Sequence, residues 1–263
     1  MKSKPIVSVM LLLIQSFILG CGSPSAQVNP ELRARLDDLV SNREFESALP
    51  LIDSLMIEFP NDAELCFQKA KCLSDSSQPQ VCLALLETAQ ENCPKDACDL
   101  LRQILELKGA IQTFDLHDSR QAYRDYMEAY EVALACKPRG VHYHLTNLSN
   151  AGQSAIGFGD FGLADSIAIA LIKAFPDKLN GYDIQSRQLS VAGKYAEAIV
   201  VYDTILARFD DGGMFNGSDY YYQRGVAYHA LGNDASACAD WEEALARGQE
   251  EAKVKLDSLC AGK

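Results

Sequence analysis

The chain has 263 residues, 48% of them hydrophobic, with nine cysteines and a formal net charge of −12. Apolar content of that order supports a packed core and excludes intrinsic disorder, and the acidic balance is repelled by phosphate backbones, which excludes nucleic acid as a natural partner. Gly and Pro are sparse and β-branched runs are few, so helix is favoured.

The N-terminus reads as an address. Lys2 and Lys4 precede an apolar stretch from Ile6 to Leu19, broken only by Ser8, Gln15 and Ser16. The stretch is shorter than the roughly 20 residues that cross a bilayer, and with its basic start it predicts a cleaved secretory signal. Ile18-Leu19-Gly20-Cys21 resembles the lipobox of bacterial lipoproteins. That resemblance implies a signal peptide over 1–20, a diacylglyceryl group on the Cys21 thiol and an acylated amine, with 21–28 as the lipidated tether. Several acyl chains, at about 0.8 kcal/mol per buried CH2, make a durable membrane anchor. Gly22, in place of Asp, resembles the outer-membrane address of enteric bacteria. The expected location is the cell envelope, lipid-anchored at the outer membrane and facing the periplasm. The alternative is an ordinary secretory signal with a chance cysteine.

From residue 29 onward, helical stretches alternate with turn signals. Asn29-Pro30 is a good helix start, a capping side chain followed by Pro at the first helical position. Pro60 and Pro94 lie 34 residues apart, each ending an apolar stretch. Residues 97–140 hold a helix from about Cys98 to Phe114 and a longer one from about Ser119 to Lys137, with Pro138 arriving late. Gly159 and Gly193, then Ala164 and Ala198, return at 34 residues. Ser218 begins the last pair, after a short insert at 213–217.

This period resembles the tetratricopeptide repeat (TPR) family. In its pattern, slots 8 and 20 are small, slots 4, 11 and 24 are bulky, slot 27 is Ala and slot 32 is Pro. The last repeat matches at Tyr221, Gly225, Tyr228, Gly232, Ala237, Trp241 and Ala244. The resemblance implies an all-α, TPR-like α-solenoid of about six helix-turn-helix repeats. Residues 29–144 would be the N-terminal repeats, 145–251 the C-terminal ones, and 252–263 a capping helix with Leu256 and Leu259 buried. Small slots let the two helices of a pair approach, and bulky slots fill the seam between repeats. The third repeat departs from the pattern. Slot 20 falls on Tyr126, too large for close packing, so either this repeat is irregular or the array breaks into halves near 115–144.

Catalytic chemistry is scarce, and no catalytic residue, metal or cofactor is expected. His142 and His144 form an HxH pair, yet zinc needs three or four convergent ligands and no third is evident. Residues 209–219 offer oxygen donors and Gly but lack the spacing of a calcium loop. No Gly-rich phosphate loop or nucleophile elbow appears. Beyond Cys21, Cys66 and Cys82 fall on buried slots, where a thiol behaves as a small hydrophobe. Cys93 and Cys98 straddle one turn, and Cys238–Cys260 is the favoured disulfide between tail and last repeat. Tyr123, Tyr126, Met127 and Tyr130 lie at helical spacing, as core or as an adhesive face.

In the TPR family the first helix of each repeat lines a concave groove. Carried onto this chain, the groove slots are Ser149, Asn150, Gln153 and Ile156, then Asp183, Arg187 and Ser190, then Tyr222, Gln223, Val226 and His229. Asn150, Gln153, Asp183, Arg187, Tyr222 and His229 are the candidate partner-binding residues. The implied role is a non-enzymatic, membrane-anchored scaffold for other proteins or extended peptides in the bacterial envelope, in envelope or outer-membrane protein assembly. The alternative is a surface lipoprotein that captures a secreted peptide or glycan. Arg33 and Asp37 stand where a family clamp for terminal carboxylates has Lys and Asn, so that specificity is not transferred.

Overall fold

A computed structural model describes residues 28–136, 142–210 and 215–260; the signal segment and the Cys21 lipidation site lie outside these residues. Among the described residues there are thirteen α-helices and no strand. Twelve of them form six pairs: α1 (Pro30–Ser41) with α2 (Phe45–Glu58), α3 (Ala63–Leu73) with α4 (Pro79–Glu91), α5 (Cys98–Phe114) with α6 (Ser119–Cys136), α7 (His142–Gly157) with α8 (Phe161–Ala174), α9 (Asn180–Val191) with α10 (Tyr195–Phe209), and α11 (Ser218–Ala230) with α12 (Asp234–Ala246). Each helix packs against its neighbours in sequence, and α1 and α3, α3 and α5, and α7 and α9 also touch. The odd-numbered helices therefore lie side by side and form one face of an α-solenoid.

Local chemistry sets the helix limits. The side chains of Asn29, Asp62, Asp160 and Asn233 accept hydrogen bonds from backbone N–H groups of the first turns that follow them, which satisfies otherwise orphaned donors. Ser218 opens α11 but does not cap it; its own N–H donates to Asn216 Oδ1 at 3.1 Å. The turn after α7, α9 and α11 passes through a left-handed glycine, Gly159, Gly193 and Gly232. In the turn after α5 the left-handed position is His117, φ 55°. A side chain costs roughly 1–2 kcal/mol there, partly offset by glycine's greater unfolded-state entropy. His117→Gly is therefore expected to stabilise the chain by about 0.5 kcal/mol, read as a higher urea midpoint at unchanged slope.

The third pair corrects the expected register. Ala122, 0% exposed, occupies the small slot 20, and Tyr126 takes the bulky slot 24 that Tyr202 and Trp241 hold in later pairs. The α5–α6 turn is one residue longer than those inside the fourth, fifth and sixth pairs, and α5 and α6 are themselves longer than the helices of those pairs, so a fixed count of 34 slips there. Gly109 faces the Tyr126 ring so closely that a Cβ would stand 2.8 Å from it. The array does not break here: α6 packs on both α5 and α7. The aromatic stripe is core, with Tyr126 buried, Tyr123 edge-on to Phe158, and Met127 packed on the same cluster.

Trp241 is buried at the end of the array. It seats on Gly225 of its own pair, where a Cβ would meet its Nε1 at 2.7 Å, and shares its cluster with Leu256 and Leu259 of the tail that follows the last pair. The insert before α11 is held by Arg247, whose Nη1 donates to Asp210 Oδ2 at 2.7 Å and to the Asn216 carbonyl at 2.6 Å. The tail folds as α13 (Glu251–Lys255) and a π-helical turn over Leu256–Cys260. Ala252 is the residue it buries, whereas Leu256 and Leu259 are half-buried. No helix among the described residues is long and apolar enough to cross a membrane.

Candidate functional site

Among the described residues, four of the five neighbouring pairs of odd-numbered helices from α1 to α11 are joined by polar rungs. Between α1 and α3, Arg33 Nη2 donates to Asp62 at 2.7 Å and Nη1 bonds Glu64, while Gln68 Nε2 donates to Asp37 Oδ1 at 2.9 Å. Between α5 and α7, Asn147 Nδ2 donates to Glu106 Oε1 at 2.9 Å, and Glu106 also accepts from the buried Arg102 at 2.6 Å. Between α7 and α9, Gln153 Nε2 donates to Asp183 Oδ2 at 2.7 Å, and Asn180 Nδ2 to Ser149 Oγ at 3.3 Å. Between α9 and α11, Arg187 reaches Asp219 at 3.4 Å, and the Tyr220 hydroxyl donates to Asp183 Oδ1 at 2.8 Å.

Asp183 is the hub, accepting from Gln153, Arg187 and Tyr220. Burial, then the adjacent Asp183 carboxylate, push the Tyr220 phenol far above its ordinary range, so it remains a donor. Burial opposes the Arg187 charge, but Asp183 and Asp219 outweigh it and raise the guanidinium above its usual value. The structure thus gathers Gln153, Asp183 and Arg187, with Asn150 half-buried on α7. It places the other two candidates elsewhere. His229 Nδ1 pairs with Asp234 Oδ1 at 2.7 Å, its ring 5.8 Å from Trp241. Tyr222 packs on the terminal cluster that also takes Leu256 and Leu259. Asp219, Tyr220, Glu106 and Asn147 were missed as groove residues. For Asp219, Tyr220 and Asn147 the signal available was their position, within one helical turn of slots already assigned; Glu106, on the irregular third pair, had none.

At the N-terminal end the same face deepens into a cleft of about 980 Å³ between α1, the α2–α3 turn and the α4–α5 turn. Arg33 and Asp37 line it. Burial opposes the Arg33 charge, but Asp62 and Glu64 outweigh it and hold the guanidinium above its usual value. Arg33 is thus committed to its two carboxylates and is no clamp for a terminal carboxylate.

Among the described residues no group of three His, Cys, Asp or Glu side chains converges to hold a metal. The His142 side chain and residues 211–214 of the acidic loop lie outside the described set; Asp210 is bound by Arg247. Cys238 and Cys260 form a disulfide, and Cys98 pairs with Cys136, not with the nearby Cys93. Cys66, Cys72 and Cys82 are buried thiols, and burial raises the thiol pKa at all three and at Cys93.

The chain has the fold of TPR proteins. It is similar to a tetratricopeptide repeat protein from Parabacteroides merdae at 18% identity and a TM-score of 0.63, covering 89% of this chain and 93% of that one. It is similar to PilW, a widely conserved type IV pilus biogenesis factor, at 16% identity and 0.64, covering 87% and 100%. It is also similar to YrrB, a TPR protein with an unusual peptide-binding site, at 16% and 0.50, covering 79% and 98%. No family model and no curated protein matches its sequence.

Proposed function

We propose that the chain is a non-enzymatic scaffold that holds extended segments of other proteins along its odd-numbered helices, tethered through Cys21 to the outer membrane on its periplasmic side. The observation that carries the reading is the set of polar side chains on the odd-numbered helices, in two stretches: Arg33, Asp37 and Gln68 on α1 and α3, and Glu106 through Gln223 on α5 to α11. Amides, hydroxyls and paired charges on a rigid surface can exchange hydrogen bonds with a peptide backbone without first being ordered. YrrB, of the same fold, is a protein with a peptide-binding site. Two disulfides support an oxidising compartment. Within that compartment the reading is service in envelope or outer-membrane protein assembly.

Glycan capture is the weaker alternative. Sugar platforms want an exposed aromatic face, and the single Trp, Trp241, is 1% exposed.

A photo-cross-linker placed in cells at Gln153 or Arg187 is expected to capture partners at least tenfold better than one at Val200, exposed on α10. Recovery of β-barrel assembly factors would point to outer-membrane protein assembly. Equal capture from Val200, or partners that survive Gln153→Ala with Arg187→Ala, would overturn the groove.

A further inference from the structure

We propose that the N-terminal cleft binds an extended segment of a partner through a lysine or arginine side chain of that segment. The inference rests on the groove reading above and assigns the chemistry that one end of the groove selects.

Charge makes the first argument. Among the described lining residues Arg33 is the one cation, against Asp37, Asp62 and Glu64. Arg33 is shared between Asp62 and Glu64, and Asp37 pairs with no cation among the described residues. An incoming carboxylate meets two uncompensated negative charges; an incoming cation neutralises one of them.

Hydrogen bonding makes the second argument, and it is independent of charge. Gln68 is 8% exposed and gives its amide nitrogen to Asp37. Its carbonyl Oε1, buried beside the same carboxylate, has no partner among the described residues. Buried acceptors are normally satisfied. The acceptor wanting a donor thus lies just behind Asp37, the residue that closes this end of the cleft. A guanidinium carries five N–H donors and an ammonium three, and neither accepts. Asp37 lines the cleft, whereas Gln68 stands behind it and is not among the lining residues; a cationic side chain can donate to the Asp37 carboxylate, and the Gln68 carbonyl would have to turn toward the cleft to accept from the same group.

Shape makes the third. The cleft is of a size that holds a few residues, not a folded domain. Phe59, Pro60 and Leu100 supply apolar wall, against which the methylene stem of a long basic side chain packs while its charged end stays with polar groups. The segment would then run on toward Gln153 and Arg187.

The test uses the full chain solubilised in detergent and three fluorescein-labelled decapeptides of alternating Ala and Pro. One has a central arginine, one citrulline and one glutamate. Fluorescence anisotropy at 0.15 M NaCl is expected to give the arginine peptide a Kd at least tenfold below its citrulline twin, and the glutamate peptide the weakest binding. The advantage should shrink with added salt, since the charges are partly exposed. Asp37→Asn and, separately, Glu64→Gln should each bring the arginine-to-citrulline ratio below threefold, whereas Asp37→Glu should retain it. Equal affinity of the arginine and citrulline peptides, or a preference untouched by both substitutions, overturns the proposal. If no peptide binds while cross-links from Gln153 and Arg187 persist, the cleft assignment fails and the groove stands. Charge-selective binding without those cross-links leaves the cleft standing and removes the groove.

Discussion

Arg224→Ala is expected to cost about 3–5 kcal/mol and to loosen the last helix pair from the rest of the array. Arg224 lies on α11 and grips Asp240 of α12 with a two-pronged fork, Nε to Oδ2 at 2.8 Å and Nη2 to Oδ1 at 2.7 Å. Its remaining nitrogen reaches back to Asp203 of α10 at 2.5 Å. Tyr221 and Tyr228, the bulky slots 4 and 11, place their rings 5.4 and 5.9 Å from the guanidinium carbon. The hydrogen bonds to Asp240 outweigh burial and hold the guanidinium well above its usual value. One side chain therefore ties three helices across the boundary between the fifth and sixth pairs.

Truncation to Ala leaves the buried Asp240 carboxylate without its counter-charge, and that uncompensated charge is the main cost. Lys keeps the charge but loses the fork, so Arg224→Lys should fall between the wild type and Ala. Asp203→Ala should cost under about 1 kcal/mol, because that carboxylate is half exposed. Repeat arrays are stabilised by neighbour interfaces, so urea unfolding of Arg224→Ala should separate into two phases, the first reported by Trp241 fluorescence. A single transition displaced by less than 1 kcal/mol would show that the fork adds little.

Much of the fold was readable because packing demands recur at fixed spacing. Ala48, Cys82, Ala164, Ala198 and Ala237 are all essentially inaccessible to solvent, and each announces itself as a small residue four before a larger one or another Ala. The third pair obeys the same rule, with Ala122 four before Tyr126. Counting by 34 misses it because α5, the turn after it and α6 are all longer than in the fourth to sixth pairs. Side chains that face a partner helix had no such signal. His229 and Asp234 are five residues apart but meet across a turn, and Gln153 finds Asp183 from 30 residues away. Residue type at a groove slot tells which groups are available. It does not tell which are already spent on each other, and in this protein most of the charged ones are.

The cysteines carry the prediction that joins structure to compartment. Replacing Cys98 and Cys136 by Ser is expected to lower stability by about 3 kcal/mol, because their bond closes a 38-residue separation in the unfolded chain. It clasps the start of α5 to the end of α6, at the pair whose turn departs from the repeat. Cys238–Cys260 spans 22 residues and pins the tail to α12; its loss should affect mainly the terminal pair. The four thiols that remain are reduced for a physical reason. Burial disfavours the thiolate, the form that attacks a disulfide, so they can coexist with the bonds in the oxidising compartment proposed above. Alkylation of the unfolded chain isolated from cells should label four cysteines before reduction and eight after, since four are free thiols, two disulfides hold four more, and the lipid proposed on Cys21 would block the ninth. Nine labels after reduction would remove the lipid, and eight before reduction would remove both disulfides and the argument for the compartment with them.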